Sequence, residues 1–199
     1  MLESPQPSVY HGEAAMLVAK QVADLITLTR AVIGFSLAWL GISQGAAALP
    51  RAISFVIAAW TSDVADGQIA RRSRVQFATW LGDHDLEVDM AVACGLLVYL
   101  LAAGFVSPWL SIGYVAFWAL FFLRWGISHS LGMLCQAPVY GWFIWVSLQV
   151  MPDAGRWLLV WIAVAVILTW PRFPTQVVPG FLSGMRQAWE SRRERRGLR

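Results

Sequence analysis

Six long apolar runs dominate this 199-residue sequence and leave few folds open to it. They cover residues 25–44, 47–70, 78–105, 109–126, 131–151 and 155–171. Because an α-helix rises 1.5 Å per residue, about 20 apolar residues cross a hydrocarbon core of about 30 Å. Only 14% of the residues are charged, against roughly 25% in soluble domains. The sequence therefore predicts an all-α integral membrane protein with six transmembrane helices, in a single domain over residues 1–199.

The basic residues predict the topology. If the N-terminus lies in the cytosol, 13 of the 15 Lys and Arg residues fall on the cytosolic side, and only Arg51 and Arg156 fall outside. This bias follows the positive-inside rule. We therefore expect a multi-pass protein of the cytoplasmic (inner) membrane, with both termini and the segment between the second and third helices in the cytosol.

The two ends of the chain look interfacial. Residues 12–23 could form a short amphipathic helix on the bilayer surface, within an interfacial segment that covers residues 1–23. The basic tail, residues 172–199, contains Trp189 and suits anionic headgroups. A solvated helix end or a disordered topology determinant would account for that tail equally well.

One stretch is acidic in this otherwise apolar chain: residues 63–89 hold five Asp and one Glu. On a helix, Asp63 and Asp66 share a face, and Asp85 and Asp89 share a face of the next helix. Two antiparallel helices joined by a short loop would point these four carboxylates at each other. Burying carboxylates costs several kcal/mol each unless cations compensate them. Oxygen-only ligands select a hard divalent ion such as Mg²⁺, Mn²⁺ or Ca²⁺.

Small and basic residues accompany these acids. Gly67 and Ala70 continue the face of Asp63 and leave room for a ligand to approach the backbone. Arg71 offers a planar fork that matches phosphate. Acids, small residues and an arginine together indicate a site for nucleotide phosphates.

These residues resemble the signature of the CDP-alcohol phosphatidyltransferase family. The segment "DVADGQIAR" (63–71) matches the family's D-x2-D-G-x2-A-R at every fixed position. The family continues with G-x3-D-x3-D eight residues later, and this second half is matched less well. The segment "DLITLTR" (24–30) is similar to the family's N-x2-T-x2-R, with Asp24 where Asn is usual. Six helices and cytosolic termini also resemble the family, particularly its phosphatidylglycerol phosphate and phosphatidylinositol phosphate synthases.

The second half of the motif has three possible registers. Thirteen residues separate Arg71 from Asp85, where the family has twelve. Strict register would place His84 and Val88 at the last two acidic positions. A shift the other way gives Asp83 and Glu87. We favour Asp85 and Asp89, with one extra residue absorbed in the loop.

The resemblance implies a reaction and roles for these residues. Family members transfer a substituted phosphate from a CDP-linked alcohol, usually CDP-diacylglycerol, to a second alcohol and release CMP. By match to the motif, Asp63, Asp66, Asp85 and Asp89 resemble ligands of two Mg²⁺ or Mn²⁺ ions, and Asp89 also resembles the general base. Gly67, Ala70 and Arg71 resemble the contacts to the CDP moiety. The resemblance further implies phospholipid biosynthesis and a homodimer, with no nucleic-acid partner.

The acceptor alcohol is suggested only by basic residues. Arg124 is the only charged residue between Asp89 and Asp153, and the topology puts it level with the acids. With Arg30 and Arg74 it could hold an acceptor phosphate, as in glycerol 3-phosphate or inositol phosphate. Alternatively, Arg124 only snorkels to the headgroups. A separate alternative is a serine or amino-alcohol acceptor, for which clustered arginines would matter less.

Two other functions stay open on the sequence. A divalent-cation transporter could use the same carboxylates, although all of them cluster at one membrane face. A catalytically inactive relative could have lost its second metal site through the one-residue shift in the motif.

Overall fold

The computed structural model describes residues 7–72, 85–170, 175–176 and 178–186, and only the backbone of residues 7–24, 66–72 and 85. These residues form helices and short connections, with no strand among them. The main helices are α1 (Pro7–Gln44), α2 (Leu49–Arg72), α3 (Asp85–Ala102), α4 (Pro108–Trp125), α5 (His129–Val150) and α6 (Pro152–Thr169), with a 3₁₀ turn, Gly45–Ala48, between α1 and α2. Residues 178–186 are also helical.

Each predicted apolar run corresponds to one of these helices, and residues 78–84 of the third run lie outside the described residues. Pro108 and Pro152 begin α4 and α6, because proline fits the first turn of a helix, where its missing N–H is not needed. The prediction that residues 12–23 form a separate helix before the first apolar run was wrong. Those residues lie inside α1, which runs unbroken to Gln44 because the sequence offers no proline or glycine between residues 13 and 33.

The apolar helices indicate a membrane-embedded protein. Within the described residues, three ranges are long and apolar enough to cross a membrane: Leu25–Ala65, His129–Val150 and Pro152–Thr169. The first of them runs through both α1 and α2. Large apolar side chains cover the outside of the bundle, such as Phe35, Trp109 and Leu123, which are all more than 70% exposed. Six transmembrane crossings and cytosolic termini stay predictions.

α1 packs most extensively against α3. A Cβ atom on Gly95 would overlap the backbone carbonyl of Gly34, and one on Gly34 would lie 3.0 Å from the carbonyl oxygen of Ala91. A Cβ on Gly41 would lie 2.6 Å from the Cα of Tyr99. Small residues at such a crossing let two membrane helices approach to backbone contact.

The buried residues form one cluster shared by five helices. It includes Leu37 of α1, Val56 of α2, Leu96 of α3, Phe143 of α5 and Leu158 of α6, all of them fully buried. α5 packs on α3 and α6, and α6 packs on α2, whereas α4 contacts mainly α3. The cluster therefore fixes the rotation of the helices that carry the acidic residues.

Replacing Gly95 by Ala should destabilise the protein, because the new methyl group would collide with the backbone of Gly34. We expect a loss of about 1–3 kcal/mol, typical of overpacking, and a fall of several degrees in the melting temperature in detergent. The matched control is Gly113→Ala on α4, where the added Cβ meets no atom within 4 Å. Equal melting temperatures for the two variants would contradict close packing of α1 on α3.

Candidate active site

Arg30 connects three helices through its ion pairs. Its Nη1 donates to Oδ1 of Asp89 on α3 at 2.6 Å and to Oδ1 of Asp63 on α2 at 3.1 Å. The Arg30 side chain is 1% exposed, against 30% for Asp89 and 57% for Asp63. We call these two ion pairs the Arg30 bridge.

The sequence of α1 explains why Arg30 points inward. Thr27, Arg30, Ile33 and Leu37 follow one another at spacings of three and four, so they share one face of the helix, and all four are buried. The opposite face carries exposed apolar residues, Phe35 among them. A helix with its arginine inside and its apolar side chains outside is the arrangement that a lipid environment favours.

The close packing of α1 on α3 then sets the length of the bridge. Gly34 lies one turn after Arg30, and it contacts α3 at Ala91 and Val92, just after Asp89. This approach brings the guanidinium within hydrogen-bond distance of the carboxylate. Arg30 carries one positive charge and the two carboxylates carry two negative charges. The three groups of the bridge therefore carry a summed formal charge of −1.

The Arg30 bridge lies in the wall of a cavity of about 680 Å³. Its polar lining residues are Arg30, Asp63, Asp89, His129, Gln136, Tyr140 and Thr169. They come from the late part of α2, the beginning of α3, the first half and middle of α5, the end of α6 and the middle of α1. These helix segments therefore meet at one end of the bundle, the arrangement expected when consecutive helices alternate in direction.

Aromatic side chains form another wall of the cavity. The Trp60 ring lies 5.5 Å from that of Tyr140 and 5.4 Å from that of Trp161, between ring centroids. Trp161 Nε1 donates to Thr61 Oγ1 at 2.9 Å. These contacts tie α2 to α5 and α6 next to Asp63, so they hold the acidic turn of α2 in place.

The structure brings some of the predicted site residues together. Arg30, Asp63 and Asp89 meet in the bridge. The backbone of α2 continues helically through Asp66, Gly67, Ala70 and Arg71, and α3 begins at Asp85, one turn before Asp89. The side chains of these five lie outside the described part of the chain, and so does Arg74 entirely.

The described residues bear on the register of the motif. Asp89 lines the cavity with Asp63. Glu87, from the alternative pair, is exposed and is not a lining residue. Val88, from strict register, has no group that could ligate a metal ion. The geometry thus supports Asp89 as the acid that pairs with the first half of the motif, whereas Asp83 and His84 lie outside the described residues.

Arg124, predicted to lie beside the acids, is not brought to them. It is exposed on α4, its guanidinium lies 5.8 Å from the centroid of the Trp125 ring, and it does not line the cavity. The reason is that α4 packs mainly on α3 and stays at the edge of the bundle. Of the three arginines predicted to hold an acceptor phosphate, the described structure places only Arg30 at the cavity.

Sequence reasoning missed several lining residues. Trp60 lies three residues before Asp63, so the helical period could have placed it on the same face. Gln136 and Tyr140 carry no motif, and their position depends on how α5 packs against α3 and α2. His129, the first residue of α5, also lines the cavity.

The described side chains supply only some of the oxygen ligands that a hard divalent cation needs. Within the described residues, no group of three or more His, Cys, Asp or Glu side chains is close enough to hold a metal ion. Two carboxylates do converge, and both accept a hydrogen bond from Nη1 of Arg30. Asp66 follows Asp63 by three residues and Asp85 precedes Asp89 by four along their helices, and the side chains of Asp66 and Asp85 lie outside the described part of the chain.

Removing either carboxylate from the bridge should destabilise the protein unequally. Asp89 is the closer and less exposed partner, so Asp89→Asn should cost about 2 kcal/mol and Asp63→Asn about 1 kcal/mol or less. Thermal unfolding in detergent with a metal chelator measures both. Glu87→Gln, an exposed acid on the same helix as Asp89, is the control and should change little. Equal losses for all three variants would argue against the bridge.

Comparisons with known proteins do not place the chain in a family. No protein-family model matches it, and neither a curated protein nor a solved structure does.

Proposed function

We propose that this protein is a CDP-alcohol phosphatidyltransferase of phospholipid biosynthesis. The observation that supports it best is the convergence of Asp63, from the matched half of the motif, and Asp89 on one cavity. The resemblance of the motif suggests the reaction, and the cavity offers a space in which the substrates could bind next to these two acids. The proposed donor is a CDP-alcohol such as CDP-diacylglycerol, and the acceptor is a small alcohol.

In the proposed reaction, the acceptor hydroxyl attacks the phosphorus that carries the lipid. A new P–O bond forms to the acceptor, the P–O bond to CMP breaks, and CMP leaves with the electron pair. The acceptor proton passes to Asp89, which lines the cavity and is less exposed than Asp63. A carboxylate beside a cation is a weak base, so Asp89 serves best by holding the hydroxyl in place as it loses its proton.

The other motif residues take roles in binding. Asp63, Asp66, Asp85 and Asp89 would hold Mg²⁺ or Mn²⁺, which when bound would stabilise negative charge on the attacking and leaving oxygens. Gly67, Ala70 and Arg71 would contact the CDP moiety.

The proposal extends to the setting of the protein. It would cross the cytoplasmic membrane six times as a homodimer, with the cavity facing the cytosol. Soluble CMP could then leave directly into water, while a lipid-linked donor reached the cavity from the bilayer.

The test of this function is CMP release by the purified full chain in detergent with CDP-diacylglycerol and Mg²⁺. Glycerol 3-phosphate, inositol 1-phosphate, inositol and serine are supplied separately as acceptors. We expect release with one of them and its loss by at least about 100-fold in Asp89→Asn, the scale of losing a positioned acid–base group. Glu87→Gln should retain activity, because it lies off the cavity.

Other results would point elsewhere. Absence of CMP release with every acceptor, from folded protein that binds Mn²⁺, would favour an inactive relative. Divalent-cation flux into liposomes, lost in the same Asp89→Asn variant, would favour a transporter.

The cavity lining also predicts which residues affect the acceptor. Gln136→Ala should raise the KM for the acceptor several-fold, because Gln136 is a polar lining residue and one lost hydrogen bond is worth about 1 kcal/mol. Arg124→Gln should leave that KM within about twofold, since its side chain is exposed away from the cavity. Steady-state kinetics at saturating donor measures both. A large KM effect at Arg124 alone would restore it as an acceptor-phosphate ligand.

A further inference from the structure

The Arg30 bridge raises the question of how a cation could enter this site. The guanidinium is buried, and both of its described carboxylate partners line the cavity with it. Oδ1 of each acid already accepts a hydrogen bond from Nη1. A divalent ion that used the same acids would meet a positive charge already in place.

We propose that Arg30 is the resident counter-ion of the metal-free site and that a divalent cation competes with it for Asp63 and Asp89. The inference rests on the metal dependence of the proposed function, but it concerns this chain's own arginine. Arg30 is then a positioning residue. It holds two acids from different helices together until the cation takes them over.

The geometry supports competition rather than simple coexistence. Arg30 comes from α1 and is held by close packing, one turn before Gly34, so its backbone cannot retreat far from α3. A metal ion ligated by Asp63 and Asp89 would therefore lie near the guanidinium, and the two cations would repel each other across a few ångströms. The longer and more exposed contact, to Asp63, is the one that a metal ion could take with less rearrangement.

Competition also predicts how Arg30 affects the stability of the protein in the absence of metal. The like charges of Asp63 and Asp89 repel each other, which disfavours the approach of α2 to α3. The guanidinium neutralises part of this charge. Its removal should therefore weaken the metal-free protein and strengthen metal binding, two opposite effects that a merely structural arginine would not produce together.

The experiment measures Mn²⁺ binding to the chelator-treated full chain in detergent, by the loss of the free Mn²⁺ electron paramagnetic resonance signal. Arg30→Gln should bind Mn²⁺ about tenfold more tightly than the wild type, because the repelling charge is gone. Arg30→Lys keeps the charge and should bind nearly as the wild type does. Arg124→Gln removes a cation away from the cavity and should change nothing.

Thermal unfolding gives a second readout that does not depend on activity. Arg30→Gln should melt below the wild type without metal, and Mn²⁺ should raise its melting temperature by more than it raises that of the wild type. If Arg30→Gln cannot be purified without metal, recovery of folded protein with excess Mn²⁺ supports the proposal. Failure to recover it with Mn²⁺ overturns the proposal, because the ion would not replace the guanidinium.

The remaining outcomes separate this inference from the proposed function. Mn²⁺ affinity that is unchanged or weaker in folded Arg30→Gln overturns the competition, and CMP release by the wild type would leave the transferase intact. Absence of Mn²⁺ binding to the wild type and all variants overturns both the competition and the metal-dependent reaction. CMP release is therefore measured on the same preparations.

Discussion

The burial of one guanidinium constrains the rest of this structure. An arginine inside an apolar helix bundle must find anionic partners, because an uncompensated buried charge costs several kcal/mol. Arg30 finds them on two different helices. Meeting both at once constrains the rotation of α2 and α3 relative to α1, in addition to the constraint from the buried apolar cluster.

The bridge in turn depends on two glycines that have no chemistry of their own. Gly34 and Gly95 bring the backbones of α1 and α3 into contact one to two turns from the bridge. Larger residues there would separate the helices by more than a hydrogen bond can span. A substitution at either glycine should therefore change the distance between Arg30 and Asp89, although neither glycine touches the acids.

The sequence predicted the helices well because apolar runs and prolines act locally. It also predicted that Asp63 and Asp89 lie on consecutive helices, α2 and α3. It could not predict that Arg30 pairs with Asp63 and Asp89, or that Tyr140 lines the same cavity, because helical period says nothing about which helices are neighbours. Arg124 illustrates the limit: the topology predicted its level in the membrane, whereas packing decided that α4 stays at the edge of the bundle.

The three side chains of the Arg30 bridge are buried to different extents, and this difference suggests separate roles for the two acids in the proposed reaction. Exposure falls from 57% at Asp63 to 30% at Asp89 and to 1% at Arg30. A ligand entering the cavity would meet Asp63 first and Asp89 more deeply. Water competes with an acceptor hydroxyl for an activated phosphate, so a base is most selective where water is scarce. Within the proposed mechanism, this gradient assigns the proton to Asp89 and leaves Asp63 to bind charged ligands.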